Sequence, residues 1–214
     1  MSADVVIVDY GMGNLLSVKR GLEAVGAQVT ISSDGKEIIA AERLILPGVG
    51  AFGDGMNELR ERALIEPIHE FVAQERPLLG ICLGMQMLLE RSDEFGEHMG
   101  LGCISGSVKR IPATENGVRV RKIPHIGWNY LERNKAGASW NETILQSVDQ
   151  DQAFYFVHSH MAIPDDSNHL LAVCEYEGLD VSAVVGANNV VGCQFHPEKS
   201  GPDGLAILKA FLQC

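Results

Sequence analysis

The sequence predicts an α/β fold with a mostly parallel central sheet flanked by helices in its first part and a β-rich second half. Two observations predict it. Short runs of consecutive aliphatic and β-branched residues recur early in the chain, each followed by a glycine-bearing turn and then by apolar residues at helical spacing. Beyond about residue 100 the texture changes to shorter alternating segments separated by Gly, Asn and Asp.

Residues 5–8 are fully apolar and end at Asp9-Tyr10-Gly11, as a strand buried on both faces would, and residues 15–25 follow with helical periodicity. Residues 29–31 read as the next strand, and residues 44–46 as a third, running into Pro47-Gly48-Val49-Gly50. Helical patterns come next, near 56–62 and 65–75, before a fourth strand at 78–81. A helical pattern over 87–91 follows the turn at Cys82. In the second half, residues 107–111, 118–121, 153–158, 170–175, 181–185 and 190–193 read as strands, and 204–212 as a closing amphipathic helix. No repeat, low-complexity tract or long linker interrupts the chain, so residues 1–214 are expected to form a single domain. In parallel sheets of this kind, ligands bind beyond the C-terminal strand ends, which is where the glycine clusters fall.

The composition narrows the function. Of 214 residues, 46% are apolar and 21% charged, which lies within the globular range. With 17 basic against 28 acidic side chains the net charge is −11, and apart from Arg119, Arg121 and Lys122 the basic residues are scattered, which argues against a nucleic-acid partner. The longest apolar runs are far short of the roughly 20 residues of a membrane span, and the start lacks a basic-then-apolar leader, so a cytoplasmic protein is expected. Five cysteines with no Cys-x-x-Cys pair suit a reducing compartment.

The most informative segment is Leu79-Gly80-Ile81-Cys82-Leu83-Gly84-Met85-Gln86, an apolar strand that runs through Gly-x-Cys-x-Gly into a helix. This is the form of a nucleophile elbow: a turn sharp enough to lift one side chain clear needs small neighbours two residues to either side. At a helix N-terminus, Cys82 sits beside unpaired backbone N–H groups, and the Leu83 amide is aimed at an oxyanion forming on a substrate carbonyl. A nucleophilic thiol needs a base and the base an orienting partner. Both are present in Gln194-Phe195-His196-Pro197-Glu198, where a proline-fixed extended backbone would point His196 and Glu198 to the same side.

Other readings compete. Cys82 could be a buried core residue, and His-Pro-Glu a surface turn. Asp9-Tyr10-Gly11-Met12-Gly13-Asn14-Leu15-Leu16 has the position of a dinucleotide fingerprint, with Asp34 downstream, but Leu16 stands where the third glycine belongs. His158-Ser159-His160 would place two imidazoles on one strand face at a metal-ligand spacing, without a third ligand, so no metal and no cofactor is expected. Cys103, Cys174 and Cys193 read as small core residues, and Cys214 ends the sequence.

Gly80-Ile81-Cys82-Leu83-Gly84-Met85-Gln86 followed by His196-Pro197-Glu198 resembles the class I, or triad, glutamine amidotransferases. Asp9-Tyr10-Gly11-Met12-Gly13-Asn14, Pro47-Gly48-Val49-Gly50-Ala51-Phe52, Pro124-His125-Ile126-Gly127-Trp128-Asn129, Phe154-Tyr155-Phe156-Val157-His158-Ser159 and Gln194-Phe195-His196-Pro197-Glu198-Lys199-Ser200 narrow the resemblance to the glutaminase subunits of imidazole glycerol phosphate synthases. The elbow alone would fit several amidotransferases, or another cysteine hydrolase on the same type of fold.

The resemblance implies a class I glutamine amidotransferase-like fold and hydrolysis of glutamine to glutamate and ammonia. The ammonia would pass to a cyclase subunit, in a heterodimer that makes imidazole glycerol phosphate and an aminoimidazole carboxamide ribotide in histidine biosynthesis. It implies Cys82, His196 and Glu198 as the triad, with the oxyanion held by Leu83 and by the loop carrying Val49 and Gly50. Gly50, Gln86, Ser159 and the backbone at His160 are the implied glutamine contacts; the family commonly has tyrosine at position 160. Asn14, His125 and Trp128 are the implied partner contacts, Trp128 alternatively being a core aromatic.

Overall fold

The structure is a computed structural model that describes residues 4–115, 117–134, 139–149 and 151–214. In chain order the first half holds β1 (Asp4–Val8), α1 (Leu15–Ala24), β2 (Gln28–Ser32), α2 (Gly35–Ala40), β3 (Arg43–Gly48), α3 (Phe52–Glu61), α4 (Ile65–Ala73), β4 (Leu78–Cys82) and α5 (Leu83–Met87). It continues with β5 (Leu89–Ser92), β6 (His98–Met99), β7 (Ile104–Arg110), β8 (Thr114–Glu115), β9 (Val118–Arg119), β10 (His125–Tyr130) and β11 (Glu132–Arg133). Last come β12 (Ala153–His158), β13 (His160–Pro164), β14 (Leu170–Tyr176), β15 (Leu179–Ala187), β16 (Val190–Cys193) and α6 (Gly201–Phe211).

The central sheet has eight strands in the order β11-β14-β15-β16-β4-β3-β1-β2. From β2 to β16 the pairings are parallel, and β15, β14 and β11 extend the sheet antiparallel. The mostly parallel sheet is thus as expected, and the second half of the chain completes it. Successive side chains of a strand face opposite ways, and the core divides accordingly. Ile45, Leu79 and Ile81 pack with Leu22, Leu208 and Phe211 of α1 and α6, whereas Leu44, Leu46 and Leu78 pack with Phe52, Leu59, Ile68 and Phe71 of α3 and α4. A second sheet, β13-β7-β5-β6, and the hairpin-like pair β10-β12 stand beside this frame. Among the described residues no helix is long and apolar enough to cross a membrane.

Two expectations need correction. Residues 87–91 are not a helix: α5 ends at Met87, and β5 pairs in parallel with β7. Leu88 and Leu89 are fully buried, and an apolar run this short fits either periodicity, so its partner decides. The strand read at 118–121 is only a two-residue pairing of Val118–Arg119 with Thr114–Glu115. The short helix α2, capped by the Asp34 carboxylate on the Lys36 N–H at 2.8 Å, was not legible in an apolar pattern of six residues.

Candidate active site

Three adjacent parallel strands deliver the chemistry at their C-terminal ends. Gly48 of β3 lies in register with Cys82 of β4, and Ile81 with Cys193 of β16, so the chain leaving β3, β4 and β16 emerges side by side. Those exits carry the Gly48-Val49-Gly50 loop, Cys82 with α5, and Gln194 through Glu198.

Cys82 has φ 55° and ψ −110°, a left-handed conformation that a non-glycine residue adopts only where its surroundings impose it. The surroundings do so by close approach. A Cβ on Gly84 would run into the Leu46 carbonyl oxygen, and one on Gly80 would come within 2.8 Å of the Gly84 backbone. The two glycines therefore let α5 start directly over the sheet, as the elbow reading requires.

His196 is 3% exposed and donates Nδ1–H to Glu198 Oε1 at 2.8 Å. The local backbone differs from expectation: Pro197–Lys199 is a 3-10 turn, not an extended segment, and the two side chains meet across it. The turn is held by Ser200, whose hydroxyl donates to the His196 carbonyl at 2.7 Å, and by the His196 N–H, which donates to Tyr155 at 2.9 Å. With Nδ1 committed to Glu198, the buried Nε2 is the ring nitrogen left for the Cys82 sulfur. Burial by itself lowers the imidazole pKa, but the Cys82 sulfur and the Glu198 carboxylate outweigh it and hold His196 up at about 9. The other cysteines lack such a setting. Burial pushes the Cys103 thiol up to about 11 and Cys174 to about 12, and Cys193, fully buried, is also raised.

A cavity of about 360 Å³ opens over Cys82 and His196, and Val49, Gly50, Leu83, Gln86, Ser159 and His160 all line it. Every residue expected at the oxyanion and substrate positions thus comes together, while Glu198 stands behind the imidazole. Behind the Gly48-Val49-Gly50 loop, the buried Tyr10 hydroxyl donates to the Pro47 carbonyl at 2.6 Å. Burial, and then the Cys82 charge, raise the Tyr10 phenol and keep it neutral.

Glu94 is a cavity residue that the sequence did not announce, since it lies in a loop without a motif. Its carboxylate accepts from the Phe52 N–H at 2.8 Å, at the start of α3, and faces His160 Nδ1 at 3.2 Å. Position 160 thus carries an imidazole facing an acid. The His160 carbonyl already accepts from Gln86 Nε2 at 3.3 Å and from His158 Nδ1–H at 2.8 Å.

The partner-contact expectations divide. Asn14 is exposed and Trp128 is 59% exposed, so Trp128 is a surface residue and not a core aromatic. His125 is 2% exposed and stacked on Tyr176 at 3.9 Å, so its ring lies within the chain and not on the surface beside Trp128. Alternation along β10 is the reason, since it turns His125 inward and sets Ile126, Trp128 and Tyr130 outward as an apolar stripe. His125 instead meets His158 at 3.0 Å between Nδ1 and Nε2. Burial drives the His158 pKa down to about 3, so His158 is neutral, donates to the His160 carbonyl and accepts from His125. The chain bends at Ser159 between β12 and β13, so His158 and His160 lie on different strands and not on one strand face.

A Cys-His-Glu constellation on an elbow, at the C-terminal edge of a mostly parallel sheet, has the arrangement expected of a triad hydrolase. The chain belongs to the class-I glutamine amidotransferases, matching that family over residues 6–214. It is 50% identical over 211 residues to imidazole glycerol phosphate synthase subunit HisH 1 of Legionella pneumophila, covering 99% of both chains. It is 44% identical over 208 residues to subunit HisH of the same synthase from Geobacter sulfurreducens, covering 97% of both. Among solved structures, PurLQS from Thermotoga maritima superposes with a TM-score of 0.75 at 20% identity, over 100% of this chain and 99% of that one, a likeness of fold.

Proposed function

We propose that this chain is the glutaminase subunit of an imidazole glycerol phosphate synthase, hydrolysing glutamine and passing ammonia to a cyclase subunit in histidine biosynthesis. The observation that carries the reading is the meeting of Cys82 with the His196–Glu198 pair in one cavity, in a chain half identical to a HisH subunit. Cys82 would transfer its proton to His196 Nε2 and attack the carboxamide carbon of glutamine. His196 then protonates the leaving ammonia and later activates water on the thioester, with Glu198 fixing the tautomer. The Leu83 N–H, in the first turn of α5 where no intrahelical acceptor exists, and the Val49-Gly50 loop would hold the oxyanion. Gly50, Gln86, Ser159 and His160 would contact the substrate, and the Glu94 carboxylate offers the opposite charge for its α-ammonium group.

The partner would dock on the stripe of Ile126, Trp128 and Tyr130 together with Asn14, next to the cavity that β12 helps to line. Ammonia is protonated in neutral water and ceases to be a nucleophile, so a covered route through that face suits the chemistry. We take residues 1–214 as one functional domain, because strands from both halves complete the central sheet. We place it in the cytoplasm, where five free thiols are stable.

The test is glutamate release by the chain alone and with a cyclase subunit bearing its nucleotide. Cys82→Ala should abolish turnover in both while leaving binding to the cyclase unchanged. Turnover by the variant would refute the reading.

A further inference from the structure

The triad does not account for Gln194. Its side chain is fully buried, its backbone N–H is bonded to the Ala183 carbonyl at 2.8 Å, and its amide sits directly behind the reactive sulfur. Which end of that amide meets Cys82 follows from a chain of fixed donors. The His160 carbonyl can only accept, so the Gln86 side chain must turn its NH2 group toward it. The same NH2 group donates to Gln194 at 2.9 Å, which requires that Gln194 present its carbonyl there. The Gln194 NH2 group is left pointing at Cys82 Sγ, at 3.6 Å, within hydrogen-bond reach of the larger sulfur atom. A flip at Gln194 would set carbonyl oxygen against sulfur and NH2 against NH2, leaving buried groups unpaired.

We infer that Gln194 is a further catalytic residue, whose side-chain amide donates to the Cys82 sulfur and stabilises it in its anionic form. The inference rests on the glutaminase reading only for the reaction that follows; the sulfur–amide contact itself is independent of the substrate. A neutral N–H donor favours a charged sulfur over a thiol, so it raises the ionised fraction. It also lowers the nucleophilicity of that anion, but by less than half as much on a logarithmic scale. The titratable groups that sense the Cys82 charge are His196, Tyr10 and Cys193. Tyr10 and Cys193 are held neutral by burial, so His196 is the one that exchanges a proton with the sulfur.

The pH profile of Cys82 alkylation by iodoacetamide, followed on the Cys82 peptide by mass spectrometry in the full-length chain, tests this. Gln194→Met removes the donor, and Gln194→Glu keeps the shape and the acceptor toward Gln86 but places an oxygen against the sulfur. If loss of the donor moves the midpoint up by about one pH unit, ionisation at low pH falls about tenfold while each anion reacts about threefold faster. Alkylation should then be about threefold slower than wild type at low pH and about threefold faster at high pH, so that the two profiles cross. In the complex with the cyclase, at pH values below the wild-type alkylation midpoint, the kcat for glutamine should fall more than KM rises. Superimposable profiles, or a uniform offset at all pH values, would overturn the inference, as would an activity loss confined to KM, which would mean that Gln194 only holds Gln86. If Gln194→Met does not fold, Gln194→Glu decides alone. A wild-type complex that releases no glutamate would remove the glutaminase reading and leave the alkylation test standing.

Discussion

Replacing Glu198 by Gln should change how the site responds to pH more than it changes the fold. The carboxylate is about 1% exposed and receives the His196 Nδ1–H at 2.8 Å, so the pair is shielded from solvent and salt. Charge-assisted hydrogen bonds of this kind contribute about 1.5–3 kcal/mol, and 1.36 kcal/mol corresponds to one pKa unit. His196, held at about 9 against the penalty of burial by Cys82 and Glu198 together, should therefore drop by roughly one to two units when the charge is removed. The amide also allows the wrong imidazole tautomer, and loss of the orienting acid in such triads costs on the order of 10⁴ in kcat. The assay is kcat/KM for glutamine from pH 6 to 10 in the complex with the cyclase: the alkaline limb should move down by the same one to two units. An alkaline limb at its wild-type position would refute the claim that Glu198 sets the His196 proton affinity. Stability follows the same linkage. A group whose folded pKa lies above its unfolded value of about 6.5 contributes stability that is complete below pH 6.5. That contribution is lost as the pH rises through about 9, so wild type should lose unfolding free energy over this window and Glu198→Gln should lose less.

Gly84→Ala places a methyl group against the Leu46 carbonyl, so β3 or α5 must move; glutaminase activity should collapse and thermal stability fall, and a variant with wild-type melting would refute the packing argument. Tyr10→Phe leaves the buried Pro47 carbonyl without its donor, at a cost of about 1–3 kcal/mol. For a chain of this size that lowers Tm by several degrees, read by calorimetry, and activity should fall further because the oxyanion loop begins at that residue. Trp128→Ala should leave melting unchanged, since the ring is 59% exposed, and weaken cyclase binding by at least about 2 kcal/mol, roughly thirtyfold in Kd. Isothermal titration with the cyclase checks it, and an unchanged Kd would move the docking face elsewhere.

The features that proved legible in the sequence are local. Gly80 and Gly84 announce a turn because the steric need for them arises within five residues, and the apolar runs of β1, β3 and β4 announce strands buried on both faces because no polar side chain interrupts them. His196 and Glu198 were readable as a pair because two residues separate them, although the 3-10 turn that joins them was not.

What the tertiary structure alone decided are the long-range pairings. Strand β5 is a strand because β7 supplies its partner, and no periodicity in four residues can say so. Glu94 enters the cavity because the start of α3 and His160 hold it there from distant parts of the chain. His125 faces inward because β10 pairs with β12 in a register that turns Ile126, Trp128 and Tyr130 outward. Short-range sterics and hydrophobic patterning encode the frame and the proposed nucleophile and base, so these could be read from the residues alone. The orientation of Gln194, the neutrality of His158 and the exposed stripe depended on which buried donors meet which acceptors, which exists only once the distant segments have come together.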